Sequence, residues 1–325
     1  MARIRDSEAD FNQSPPFADV NLFTSDTAWQ GVVGREGAAG AFAELETFGG
    51  LAGSASALEL GKLANAHPPF LKGFDPQGRR IDHVEFHPAY HQVMAISIVQ
   101  GLHCSTWEHL LSGKGPQPGA HVARCAGSYM AAQMEAGHCC PITMTHAAVA
   151  ALRHEPSLAQ HYLPKIVARD YDPSRAPVDA KRAITIGMGM TERQGGTDVR
   201  ANTTRAEPVD GGGPGAAYAI TGHKWFLSAP MSDAFLVLAQ AKGGLSCFFL
   251  PRLTPEGALN GLKLQRLKDK LGNRSNASAE VEFDRALGFL VGAEGRGVAT
   301  IIDMVILTRL DCAVSSAGLM RQARV

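Results

Sequence analysis

Three stretches of this chain carry residue types that could grip a flat ligand with polar edges. The first is Gly187-Met188-Gly189-Met190-Thr191-Glu192-Arg193-Gln194-Gly195-Gly196-Thr197-Asp198-Val199. It reads as a strand running into a glycine-bearing turn. Gly195 and Gly196 can adopt positive φ and let backbone N–H groups approach a ligand closely, and Thr191 and Thr197 add hydroxyls. A β-turn with polar residues at its tip accounts for the same letters. The second stretch is Gly222-His223-Lys224-Trp225-Phe226-Leu227-Ser228. A tryptophan and a serine on one strand suit an aromatic ligand whose faces stack and whose edge bonds a hydroxyl. A core tryptophan with a strand-end serine is the plainer reading. The third runs from Leu264 to Ser278, where Arg266, Lys268, Lys270 and Arg274 concentrate positive charge. That pattern could hold a phosphate or carboxylate, and a solvated charged loop would look the same.

Other chemistries are disfavoured by spacing. No GxxxxGK[ST] run is present, and Gly187-Met188-Gly189 lacks the third glycine and the βαβ setting of a dinucleotide fold. His67, His83, His87, His91, His138 and His146 are scattered; His87 and His91 are four apart, but no third ligand accompanies them, so no metal site is expected. Cys104, Cys125, Cys139, Cys140, Cys247 and Cys312 form no CxxC pair, which argues against both a zinc site and a disulfide framework. A reducing cytoplasm is the compartment this usage predicts. Residues 1–6 turn polar at once and contain no apolar signal core, and no apolar run approaches the roughly 20 residues that span a bilayer.

The 31 basic and 31 acidic residues cancel, which argues against broad attraction to nucleic acid or anionic membrane without excluding a local patch. Hydrophobic residues at 45% are enough to bury a sizeable core in two or three domains.

The elements that must position these stretches follow from periodicity. Residues 1–30, with Pro15 and Pro16, predict an extended arm with little core of its own. Residues 31–182 predict an all-α domain, with helices near 38–45, 54–65, 91–112, 119–137, 141–154 and 157–168. The pattern changes near Ala183. Short apolar runs at 183–190, 202–207, 217–221, 234–240, 245–251 and 280–283, separated by glycine-rich turns, predict a β domain over 183–291. From Gly297 helical spacing returns through Val298, Ile301, Ile302, Val305 and Leu310, so 292–325 predicts the start of a further helical domain. This α+β order of helices, then strands, then a helix is unusual. One long helix cannot bury its apolar stripe alone, which predicts burial against another chain or a protein cut short.

On these residues the chain resembles the acyl-CoA dehydrogenase superfamily. Met-Thr-Glu followed by a glycine-rich turn and Thr197-Asp198 is similar to that family's flavin signature, and Gly222-x-Lys224-Trp225-x-x-Ser228 to its second flavin strand. The fuller wording is similar to the AidB branch, the flavoproteins of the adaptive response to DNA alkylation. It extends through Leu58–Asn65, Pro141–Thr145, Gly189–Gly196, Asn202–Glu207, Gly244–Phe249 and Arg266–Ser278, and covers residues from about 11 to about 321. The resemblance implies an acyl-CoA dehydrogenase-like fold with a middle β-barrel or sandwich, FAD as cofactor, and a homo-oligomer, tetrameric in full-length members.

The resemblance further implies site roles. Met188, Gly189, Met190, Thr191, Glu192, Arg193, Gln194, Gly195, Gly196 and Thr197 would hold the isoalloxazine and adjoining pyrophosphate. Thr191 would sit at the ring's pyrimidine edge, and Thr197 replaces a serine common in the family. Phe226, Leu227 and Ser228 would line the other side, Ser228 nearest N5, with Trp225 packed beside the ring. The family's base, a glutamate late in the helical C-terminal domain, and the branch's basic DNA-binding region have no counterpart before Val325, so no catalytic residue is assigned and a shortened product is expected. Glu294 and Asp311 are the nearest late carboxylates, and the Thr308-Arg309-Leu310-Asp311-Cys312 segment resembles the family near its substrate cavity. The expected function is that of an AidB-type oxidoreductase acting on an acyl-CoA or similar small molecule. The alternatives are a flavoprotein scaffold that protects DNA with little turnover, or a fragment without function.

Overall fold

Local capping starts the helices where the sequence offers oxygen acceptors. In this computed structural model, which describes residues 15–325, the Asp26 side chain accepts from the Trp29 amide to begin α1 (Thr27–Val33), and Ser54 accepts from Ala57 to begin α3 (Ala55–Ala66) after α2 (Phe42–Ala52). A two-stranded hairpin, β1 (Phe70–Phe74) and β2 (Arg80–Glu85), follows. Helical structure resumes with α4 (Pro88–Val99), whose N1 proline is pre-set for a first turn, then the one-turn α5 (His109–Ser112), α6 (Ala120–Met134), α7 (Cys139–Leu152) and α8 (Pro156–Ile166).

The β region holds β3 (Ile186–Gly189), β4 (Arg205–Pro208), β5 (Ala217–Ser228), β6 (Ala234–Ala241), β7 (Gly244–Pro251), β8 (Leu262–Leu267) and β9 (Ser278–Val291). Their order is β3-β5-β4-β6-β7-β9-β8, and extra pairings of β3 with β6 and β5 with β9 curl the sheet on itself. Its interior is packed by Tyr218, Ile220, Leu227, Phe235, Phe248 and Val281. The opposite face of β6 and β7 meets α7 and α8, where Tyr162 stacks on Phe249 at 4.3 Å. With both faces covered, β6 is a continuous apolar run rather than an alternating one. The chain ends in the long α9 (Gly297–Arg324).

Four expectations need revision. The helical region contains the β1–β2 hairpin, whose alternation is weak because most of its residues are half-exposed. The helix expected over 91–112 stops at Val99, because Gly101 turns the chain with φ +77°. The arm expected over 1–30 lies outside the described residues as far as position 14, as does the reading of residues 1–6, but Leu22 and Phe23 are buried in the helical core. Finally, α9 buries part of its stripe within this chain: Ile301 and Met304 join the core between helices and sheet, while Ile306, Leu310 and Met320 stay exposed. Among the described residues no helix is long and apolar enough to cross a membrane.

Candidate flavin-type site and its adjoining cavity

The two stretches singled out by residue type meet at one end of the sheet. Met188 of β3 stands opposite Ser228 of β5 in antiparallel register, and the Trp225 amide donates to the Thr191 carbonyl at 2.8 Å. The loop after β3 is therefore pinned to the end of β5. Further bonds hold its shape: the Gln194 amide side chain donates to Asn202 at 2.9 Å, and Asn202 donates to the Met190 carbonyl at 2.9 Å. The Arg193 amide donates to His223 at 3.3 Å.

The loop's anchor is a buried ion pair. Glu192 accepts from Lys224 at 2.8 Å, from the Thr203 amide and hydroxyl at 2.7 and 2.9 Å, and from the Thr204 amide at 3.1 Å; both charged side chains are fully enclosed. Burial alone would raise the Glu192 carboxyl, but the Lys224 ammonium and these hydrogen bonds outweigh it and hold the group at about 2. Burial pulls Lys224 the other way, down to about 8, against the attraction of Glu192.

The expected site residues thus separate into groups. Met188, Met190, Thr191 and Gly195 are half-buried, Arg193, Gln194, Gly196 and Thr197 are exposed, and Gly189 is buried. Gly195 has φ +121° with open space beside it, whereas a Cβ on Gly196 would come within 2.7 Å of the Thr191 hydroxyl. Among the described residues, neither Thr191 nor Thr197 engages another protein group with its hydroxyl. Two side chains turn away from the loop's open side. Glu192 points to Lys224 and Leu227 points into the barrel core, so these two can offer a ligand backbone only. Trp225 carries three cations against its ring, Arg193 at 5.2 Å, Arg266 at 5.7 Å and Lys268 at 3.6 Å, and Lys268 also lies 4.4 Å from the Phe226 ring.

In the basic stretch over 264–278, Arg266 and Lys268 share one carboxylate, both donating to Glu280 at 2.7 Å. Its far end does different work. Ser275 donates to Glu135 at 2.8 Å, and Glu135 also accepts from the Gly137 and His138 amides at 2.7 Å each. This tie to the end of α6 left no mark in the sequence, because its partners lie 140 residues apart.

A cavity of about 240 Å³ opens between α6, α7 and α9. Cys140 borders it, and the Ser228 and Asn276 side chains face the Cys140 thiol, so cavity and loop site adjoin. Burial pushes that thiol up to about 11. The cavity wall carries a second buried pair. Arg124 donates to Asp311 through two nitrogens at 2.7 and 2.5 Å and to the Leu102 carbonyl at 2.6 Å, and Thr143 donates to the same carboxylate. Asp311 is therefore a cavity residue, as its segment implied, while Arg309 is exposed and outside the lining. Neither late carboxylate is free to serve as a base: Asp311 is held by Arg124, and Glu294 accepts from the Tyr218 hydroxyl at 2.5 Å and the Gly243 amide at 2.7 Å. The paired histidines part company too. His87 accepts from the Ala89 amide and stacks on His67, whereas His91 bonds Tyr171 at 2.7 Å.

Comparison with known proteins agrees with this geometry. Residues 12–173 match the model of the adaptive response protein AidB N-terminal domain, and residues 187–286 match the acyl-CoA dehydrogenase middle domain. AidB of Escherichia coli (strain K12) is 49% identical over 314 residues, covering 96% of this chain and 56% of that protein. Acyl-CoA dehydrogenase family member 11 of Caenorhabditis elegans is 31% identical over 81% of this chain and 42% of its own length. Among solved structures, the Bd2924 apo-form superposes with a TM-score of 0.84 at 30% identity, covering 96% of this chain and 62% of its own. ACDH-11 of Caenorhabditis elegans in complex with C11-CoA gives 0.82 at 27% identity, with 99% of this chain and 55% of its own covered. The chain spans about half the length of the curated relatives it matches. With its AidB N-terminal domain followed by an acyl-CoA dehydrogenase middle domain, the chain belongs to the AidB branch of the acyl-CoA dehydrogenase superfamily, a family of FAD-dependent flavoproteins.

Proposed function

We propose that this chain is the flavin-binding portion of an AidB-type, acyl-CoA dehydrogenase-like oxidoreductase, with FAD held between the Met188–Thr197 segment and the Trp225–Ser228 end of β5. One observation carries the reading. Met188 stands opposite Ser228 and the Trp225 amide bonds Thr191, so both stretches offer their polar groups to one ligand-sized edge of the sheet. The residues fit the group. A flavin needs hydroxyl and backbone N–H donors at its pyrimidine edge and diphosphate, and Thr191 and Thr197 have uncommitted hydroxyls beside the small residues Gly195 and Gly196.

When bound, the flavin supplies hydride acceptance, and the protein supplies orientation. In this reading Thr191 and Ser228 fix the ring's polar edges, Thr197 meets the diphosphate, and Trp225 with its flanking cations covers the ring's side. The Glu192–Lys224 pair keeps the loop's amides aimed without touching the ligand. Cys140, held as a neutral thiol by burial, adds no charge near the ring. The substrate would be an acyl-CoA or a related small molecule, taken in a cytoplasmic homo-oligomer.

The test is a visible absorbance spectrum of freshly purified protein. Two flavin bands, lost or red-shifted in Ser228→Ala, are expected; folded, colourless protein that takes up no added FAD would sink the reading. A second reading, a flavoprotein that holds nucleic acid with little turnover, is favoured by the cations gathered on Trp225 beside Phe226, which is 45% exposed. Aromatic faces flanked by cations suit stacked bases. A gel shift with single-stranded DNA that fails in Trp225→Ala, without flavin bleaching by acyl-CoA, would favour it.

A further inference from the structure

We propose, resting on the flavin reading above, that the cavity between α6, α7 and α9 takes the acyl part of the substrate and selects chains bearing a neutral hydrogen-bonding group over plain hydrocarbon chains. The size sets the first limit. A volume of about 240 Å³ has room for a short chain. The wall sets the second. Arg124 and Asp311 are 3% and 4% exposed and both line the cavity. A guanidinium has five N–H donors. Three of Arg124's go to the Leu102 carbonyl and to Asp311, which leaves two uncommitted on a residue of the cavity wall.

Ser128 adds an independent sign. It is 6% exposed, lines the same cavity, and its hydroxyl has no protein partner among the described residues. Ser315, half-buried, adds a second unengaged hydroxyl to the lining from α9. Donors and hydroxyls that face a cavity in this way are satisfied by water or by a ligand. A hydrocarbon chain that displaces such water cannot replace its hydrogen bonds and loses affinity, whereas a hydroxyl, carbonyl or amide replaces them. A charged group is disfavoured because Arg124 and Asp311 already neutralise each other and offer an incoming ion no counter-charge. Leu102, Ile142 and Leu319 provide apolar wall for the methylene part of the chain.

The experiment compares two thioesters of equal length, hexanoyl-CoA and 5-hydroxyhexanoyl-CoA, by titration calorimetry on the full chain supplied with FAD, with free CoA as baseline. The hydroxylated thioester is expected to bind about tenfold more tightly. Replacing the pair as a unit, Arg124→Met with Asp311→Leu, avoids stranding a charge and is expected to reverse the preference. Ser128→Ala is expected to narrow the preference, with the hydroxylated thioester bound more weakly than by the unaltered chain. Equal or tighter binding of hexanoyl-CoA by the unaltered chain, or no binding of either thioester, would overturn the inference. A colourless protein that keeps the preference would instead overturn the flavin reading alone, and a yellow protein without the preference would overturn this inference alone.

Discussion

Two of the buried ion pairs, one in the sheet and one among the helices, are used differently. Glu192 and Lys224 are sealed, with every neighbouring donor supplied by the protein, so the pair acts only as a clamp between the loop after β3 and strand β5. Arg124 and Asp311 bridge α6 and α9 through two parallel hydrogen bonds, and their side chains form part of a cavity wall. A buried ion pair thus serves in one place as scaffold alone and in the other also as part of a cavity wall. What separates them is whether space was left beside the pair.

Four measurements would break or sharpen that contrast. The largest effect is expected from stranding one charge in either place. Lys224→Met or Arg124→Leu should each cost about 3–5 kcal/mol in denaturant unfolding, because an unpaired buried carboxylate remains. Costs below about 1 kcal/mol would mean that water reaches the pair. Next is acid stability. The Glu192 carboxyl, held at about 2 in the fold, lies below its unfolded value of roughly 4.3. Its contribution is therefore fully present above about pH 4.3 and is lost as pH falls toward 2, a difference on the order of 2 kcal/mol. Melting curves across that window should fall less steeply in Glu192→Gln/Lys224→Met than in the unaltered chain, and identical slopes would refute the clamp.

A smaller effect is expected at Gly196. Its added methyl in Gly196→Ala would press on the Thr191 hydroxyl, costing about 1 kcal/mol in stability while releasing flavin from freshly purified protein. Unchanged flavin content would remove Thr191 from the site. A last effect concerns His103, which burial holds at about 4. A folded value below the unfolded 6.5 means stability present above pH 6.5 and lost as pH falls through 4. In His103→Gln this part of the pH dependence should vanish, with no change at the loop after β3.

Legibility in the sequence followed the range of the interactions involved. The strands β5, β6 and β7 and helices α6 to α8 were readable because periodicity and turn residues act within a few positions. The glycines and hydroxyls of the loop after β3 were legible in the sequence, and its use as a ligand site is the proposal they support. The inward turn of Glu192 and Leu227 was not, since nothing within the loop's own wording says that Lys224 lies beneath it. The hairpin was missed because Phe70 and Phe74 are exposed and leave no clean alternation. Of the cavity only the segment around Asp311 was marked, through its resemblance; its partners Arg124 and Thr143 lie 187 and 168 residues away and left no sign there.

By itself, the sequence determined the succession of helices, strands and a final helix, and the residue types that can hold a flavin. Those properties depend on backbone propensity, side-chain period and hydroxyl or glycine chemistry at neighbouring positions. Only the tertiary structure decided which charges are buried together, which side chains of the loop turn inward, and where a cavity stands beside them. Burial and pairing are properties of segments brought together by packing, and a charge's partner 187 residues away leaves no trace in its local sequence.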